Sequence, residues 1–167
     1  TPSHEGAIDL AQIRAAAAMV GRWLRDRDRF AAVVVKSTVV PGTTDTAVRE
    51  ALETESGRRV STGQFGLGMN PEFLREGEAV GDFMHPDRII FGHEDPGTLD
   101  LLRRMYAPWD CEKIAVNCRT AEMIKYANNC MLALQISAVN ELANVAAAVG
   151  GIDFMHVVRG VAADKRW

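Results

Sequence analysis

The longest unbroken pattern of apolar and polar positions runs from Ala121 to Val149, AEMIKYANNCMLALQISAVNELANVAAAV. It holds no Gly or Pro until Gly150 and Gly151, and it is rich in Ala, Leu, Met, Glu and Gln, which are strong helix formers. Thr120 stands at the N-cap position, Glu122 sits in the first turn where the dipole favours an acid, and the glycine pair ends the helix. At ~1.5 Å per residue such a helix spans roughly 40 Å. Met123, Ile124, Ala127, Met131, Leu134, Ala138, Leu142, Val145 and Val149 share one broad apolar arc, and Lys125, Asn129, Asn140, Glu141 and Asn144 lie opposite. An arc that wide predicts a central helix buried by a domain and by a second copy of itself.

The rest of the chain alternates between two periodicities. AIDLAQIRAAAAMVGRWLRDRD carries Ile8, Ile13, Ala17, Val20 and Leu24 at helical spacing. AAVVVKSTVV is a β-branched run of the length and flanking of a buried strand. TTDTAVREALETES reads as a helix opened by Thr43 or Thr44 and closed by Gly57, and FGLGMNPEF as a short strand ending at Asn70-Pro71. Asp87–Gly92 predicts a strand, Pro96–Tyr106 a helix and Glu112–Asn117 a last strand, while IDFMHVVRGVAADKRW predicts a short helix stopping at Gly160. Strands alternating with helices of ten to fifteen residues imply βαβ units, a mostly parallel sheet of about four strands, and helices over both faces. The expected organisation is an α/β region over residues 1–118 followed by a helical region over 119–167.

Composition narrows the partners. The 167 residues, 47% of them apolar, suffice for one or two compact units. A net charge of −3 and a pI near 5.8 give no general pull toward nucleic acid or anionic membranes. No run of ~18 apolar residues is free of charge, so no membrane span is expected. TPSHEGAIDL has neither the basic region nor the apolar core of a signal peptide. Three cysteines without a CxxC pair argue against a disulfide scaffold or a zinc site and for a reducing cytoplasm, and the four scattered His give a metal no support.

Ligands of such sheets bind outside the carboxyl ends of the strands. Lys36-Ser37-Thr38 closes the first strand there with two hydroxyls, and Asn70-Pro71-Glu72-Phe73-Leu74-Arg75-Glu76-Gly77 closes the second. If the second segment is helical, Glu72 and Glu76 share a face, where one can act as general base while the other holds a hydroxyl. An ordinary Glu-rich helix start fits the same residues. Lys125 and Asn129 are likewise four apart, and a buried Lys beside an amide can hold an alkoxide. A snorkelling Lys next to a surface Asn has the same spacing.

KSTVVPGTT, NPEFLREG, PDRIIFG and AEMIKYANN, in that order, closely resemble the UDP-glucose/GDP-mannose dehydrogenase family, and the resemblance covers essentially the whole chain. It implies a partial Rossmann-type sheet followed by the central dimerisation helix and a short helix. It further implies a homodimer formed through residues 121–149, NAD as cofactor, and four-electron oxidation of a nucleotide sugar's C6 alcohol to a carboxylate. The substrate would be of the UDP-glucose, GDP-mannose or UDP-N-acetylmannosamine type. By motif, Thr1, Thr38 and Glu76 would face NAD. Glu72 would work with water in thioester hydrolysis, with Thr38 also near that water. The segment Glu72, Phe73, Leu74, Arg75 and Glu76 would line the sugar-nucleotide site. Lys125 would stabilise the oxyanion at C6 and Asn129 would position the reacting oxygen. The family's glycine-rich loop is expected upstream of Thr1 and its nucleophilic Cys downstream of Trp167, so the chain alone is expected to be inactive. Cys130, turned ~100° from Asn129 on a helix, is expected to be a small buried residue, as are Cys111 and Cys118. Two alternatives stand beside this one. The Lys-x-x-x-Asn pair is also similar to 6-phosphogluconate and 3-hydroxyisobutyrate dehydrogenases, and the chain could be a dimerisation module without catalysis.

Overall fold

A computed structural model describes residues 3, 4 and 7–165. A short antiparallel ribbon, β1 (Ser3–His4) with β2 (Ala7–Ile8), precedes helix α1 (Ala11–Arg25). Strand β3 (Ala32–Val35) leads through the KSTVVPGT loop into one π-helical turn, Thr44–Val48, that continues as α2 (Arg49–Ser56). Gly57 closes α2 in the left-handed region, φ 70°, as its place after the last periodic residue predicts. Then follow β4 (Gly66–Met69), α3 (Ala79–Met84), β5 (Arg88–His93), α4 (Pro96–Met105), β6 (Glu112–Val116), α5 (Cys118–Val149) and α6 (Phe154–Ala162).

The four main strands form one sheet in the order β3-β4-β5-β6. Strands β3 and β4 are parallel, with Ala32 opposite Gly66 and Val35 opposite Met69, and β5 and β6 are parallel, with Arg88 opposite Glu112. The sheet is thus mostly parallel, as expected, and the exception is β4 against β5, which are antiparallel with Met69 opposite Gly92. Between them the only helix is α3, six residues long with none buried, so it does not lie over the sheet as a crossover helix must.

Helices cover both faces, as the strand–helix alternation predicts. On one, Leu24 of α1 and Leu52 of α2 join Val35, Val39, Val48, Phe65, Leu67, Met69, Ile90, Cys118 and Ala121 in the main core. On the other, Leu102 of α4 and Tyr106 after it pack on Ile89 and Phe91. Helix α5 begins at Cys118, ahead of the expected start, because Asn117 rather than Thr120 caps it: Asn117 Oδ1 accepts from the Thr120 amide at 2.8 Å. Helix α6 runs through Gly160 to Ala162 instead of stopping there.

The chain divides into two compact units, residues 1–126 and 127–167, so the first turns of α5 belong with the sheet. Of the second unit's described residues only Ala146 is buried, and the apolar arc of α5 is exposed in the single chain. By length and composition α5 can cross a membrane: an 18-residue window reaches a mean hydropathy of 1.4. The charge-free run that a span is expected to have is interrupted by Glu141. A helix that buries apolar surface against another protein surface has the same composition.

Candidate active site

Strands β3 and β4 end side by side, which brings Lys36 and Asn70 together. Asn70 is 1% exposed and is held by four hydrogen bonds. Its amide donates to Val35 O at 2.9 Å, its Nδ2 donates to Ile90 O at 2.8 Å, and its Oδ1 accepts from Lys36 Nζ at 2.9 Å and Tyr106 Oη at 2.5 Å. This network ties the two strand ends and the end of α4 into one support. Lys36 is exposed as a residue, yet its ammonium is held against Asn70. Partial burial lowers its pKa, and the nearby Glu72 carboxylate opposes that shift. Burial raises the Tyr106 phenol.

Beyond Asn70 the chain is not helical. Residues 71–75 are irregular and 76–78 form a turn before α3, so Glu72 and Glu76 do not share a helix face. Pro71 suits a first helical position, so the break lies further on: the Arg75 amide donates to the Asp82 carboxylate instead of a helical carbonyl, and Gly77 stands in the left-handed region at φ 87°. Glu72 meets α5, where Lys125, only 6% exposed, donates to the Glu72 carbonyl oxygen at 2.5 Å and lies 3.2 Å from Glu72 Oε1. The ammonium also sits 5.3 Å from the Phe73 ring centroid, while Arg88 covers that ring at 4.2 Å. Lys125 is therefore a buried, partnered cation and not a snorkelling one. The other Glu72 oxygen, Oε2, is buried and makes no hydrogen bond. An acceptor shielded in this way, beside a fixed cation, is poised for a donor from a ligand or water.

The flanking residues divide. The Arg75 guanidinium turns back to form a fork with Asp82 at 2.7–3.2 Å, and the Arg75 amide donates to the same carboxylate at 2.7 Å, which fixes the loop onto α3. These bonds hold the Asp82 carboxyl below the usual carboxylate range. Leu74 and Glu76 are exposed. Thr38 is half-buried on the loop leaving β3. Asn129 is exposed, one turn beyond Lys125 on α5. Thr1 lies outside the described residues. Cys130 is exposed, contrary to the core expectation, because it belongs to the stretch of α5 that leaves the sheet; Cys118 is buried as expected and Cys111 half-buried. Among the described residues no three His, Cys, Asp or Glu side chains converge to hold a metal ion.

Sequence reasoning missed Lys36, Asn70 and Tyr106 as a network, and it missed Glu122. Glu122 is 0% exposed on α5, and its carboxylate accepts from the Gly42 amide at 2.5 Å and the Thr44 amide at 2.8 Å. On sequence alone, an acid three positions before Lys125 on the same helix signals only a favourable contact with the helix dipole. Its real partners lie about 80 residues earlier in the chain.

The family models for the UDP-glucose/GDP-mannose dehydrogenase family match residues 1–110, as the NAD binding domain, and residues 119–167, as the central domain. UDP-glucose 6-dehydrogenase AglM of Haloferax volcanii is 41% identical over 99% of this chain and 40% of its own length. The structure of a ternary complex of GDP-mannose dehydrogenase from Pseudomonas aeruginosa superposes with a TM-score of 0.94 at 37% identity, over 100% of this chain and 38% of that one. A UDP-glucose dehydrogenase from Pyrobaculum islandicum superposes with a TM-score of 0.92 at 43% identity, over 99% and 37%. The chain thus spans about two fifths of the length of these relatives. With matched models over most of its residues, it belongs to the UDP-glucose/GDP-mannose dehydrogenase family.

Proposed function

We propose that this chain supplies the Lys125–Glu72 part of the active site of an NAD-dependent nucleotide-sugar 6-dehydrogenase, which oxidises the C6 alcohol of a UDP- or GDP-sugar to a carboxylate in the cytoplasm. The observation that carries the proposal is the buried Lys125 ammonium, held by Glu72 through two oxygens, next to a Glu72 Oε2 that lacks a partner. A fixed ammonium in a shielded site stabilises negative charge that develops on a reacting oxygen, and it does so without reorganising. Lys125 is therefore assigned to the C6 oxygen. Glu72, with one carboxylate oxygen engaged and the other without a hydrogen bond, is assigned to take a proton from the water that enters as the acyl stage is hydrolysed. Asn129, one turn along α5, would orient the sugar oxygen, and the backbone of residues 72–76 would lie along the nucleotide sugar.

The residues present fit NAD as far as they extend. Thr38 and Glu76 both leave the carboxyl ends of the parallel strands β3 and β4, where nucleotides bind such sheets, and they offer a hydroxyl and a carboxylate suited to ribose hydroxyls. NAD would accept the hydrides leaving C6. The chain's own residues bind, orient and move protons around that transfer.

The test is Lys125→Ala in the intact protein, with UDP-glucose, GDP-mannose and UDP-N-acetylmannosamine offered in turn and NADH formation followed by absorbance. Removing the ammonium should lower turnover by roughly 100- to 1,000-fold, the cost of losing one oxyanion-stabilising group of ~3–4 kcal/mol. Turnover within a few-fold of the parent would overturn the assignment.

A further inference from the structure

Glu122 is the only fully buried acidic side chain among the described residues, and it lies one turn from Lys125 on α5. A carboxylate taken out of water is costly unless its oxygens are compensated. Here the compensation comes entirely from the main chain of one loop, the Gly42 amide to Oε2 and the Thr44 amide to Oε1. That loop leaves β3 at Lys36, carries Thr38, buries Val39 in the main core, and turns at Val40, whose carbonyl accepts from the Thr43 amide at 3.0 Å. It then enters the π-helical turn Thr44–Val48. The two amides that Glu122 receives are thus unsatisfied donors at the opening of a helix, where an anion is favoured. Gly42 has φ 95°, a left-handed conformation that a side chain would strain, so the amide is presented by a residue suited to that turn.

We propose that Glu122 is a positioning residue: its carboxylate fixes the Thr38–Thr44 loop to the helix that carries Lys125. One rigid helix then sets both the lysine that meets Glu72 and the loop that bears the Thr38 hydroxyl. The role in turnover rests on the dehydrogenase reading given above. A second tie between the same two segments, Arg119 Nε to Asp45 Oδ2 at 2.8 Å, holds a carboxylate only 18% exposed and is part of the same joint. An exposed pair away from the loop, Arg14 Nη1 to Glu50 Oε2 at 3.2 Å, contributes little, so Arg14→Ala serves as the control.

The experiment combines amide hydrogen exchange with steady-state kinetics on the intact protein. In the parent, the Gly42 and Thr44 amides should exchange slowly, as slowly as those of β3. Glu122→Gln keeps the shape but turns an NH2 group toward one of the two N–H donors, so at least one of these amides should lose protection. The same variant should lose roughly 10- to 100-fold in kcat, the effect of a misplaced reacting group, with KM for the nucleotide sugar within about twofold. Arg14→Ala should leave both readouts near the parent's. Free exchange of Gly42 and Thr44 in the parent overturns the proposal, and so does a Glu122→Gln protein that exposes them while keeping the parent kcat. If Glu122→Gln does not fold, Glu122→Asp carries the kinetic arm: its shorter reach should break one contact and lower kcat, and an unchanged kcat overturns the role. Failure of the dehydrogenase reading looks different. The parent would oxidise no nucleotide sugar while both amides stay protected.

Discussion

Two cysteines on one helix show how far a residue's surroundings outweigh its type. Cys118 opens α5 beneath the sheet, fully buried, with Glu94, Glu122 and Asp45 around it. Burial first, and those three carboxylates after it, push its thiol far above the ordinary range, so it stays protonated and a poor nucleophile. Cys130 stands three turns along the same helix with its side chain exposed. Brief treatment with iodoacetamide at mildly alkaline pH should therefore spare Cys118 in the folded protein and label it once urea unfolds the chain, as peptide mass spectrometry would read directly. Rapid labelling of Cys118 without urea would mean that the start of α5 opens readily from the sheet. On sequence the two are equivalent, since each directly follows an asparagine and has no CxxC partner, and only the point at which α5 leaves the sheet separates them.

At the scale of elements, close approach explains residues that propensity alone would place elsewhere. The segment GLGM has little strand-forming character, yet it is β4. A Cβ at Gly66 would lie 2.0 Å from Thr98 Oγ1, and one at Gly68 2.8 Å from Thr98 Cγ2, so the glycines let the start of α4 sit directly on the strand. Asp95 completes that joint. It caps α4 by accepting from the Thr98 amide at 2.8 Å and the Thr98 hydroxyl at 2.6 Å, and it also accepts from the Leu67 amide of β4 at 3.0 Å. Asp95→Ala removes a cap and strands a strand amide, and it should lower unfolding stability by about 2 kcal/mol, measured as a shift in the urea midpoint. A shift below a few tenths would show that water replaces the carboxylate. The main strands and helices were legible from periodicity, from Gly57 and from Pro96, because local patterning governs them, whereas α3 was not expected and the first helix, expected from Ala7, begins only at Ala11 after the β1–β2 ribbon. The antiparallel turn of β5 against β4 was not legible, since it depends on α3 staying off the sheet. The support around Asn70 was equally hidden, because its partners Lys36, Ile90 and Tyr106 are scattered along the chain. Lys125 and Glu72 could be nominated by motif, but their contact across 53 residues could not be read from spacing.

At the scale of the molecule, the two units differ sharply in how much they bury. Residues 1–126 enclose two apolar clusters, whereas the described part of 127–167 buries only Ala146 while exposing Met131, Leu132, Leu134, Ile136, Val139, Leu142, Val145 and Val149 on α5. Neighbours such as Met131 and Leu132 lie ~100° apart around a helix, so the apolar surface is wider than one stripe, and a helix apolar on that breadth belongs inside something. A pair of helices of this size cannot build a sufficient core alone. The occupant we propose is a second copy, α5 against α5 in a homodimer, because a two-fold contact covers the same surface on both chains at once. Introducing Leu134→Asp together with Leu142→Asp places two carboxylates in that contact while leaving the 1–126 unit untouched. Light scattering should then give the mass of a dimer for the parent and of a monomer for the double variant, with circular dichroism of the sheet unit retained. A parent that is already monomeric, or a double variant of unchanged mass, would mean that α5 is covered by some other surface.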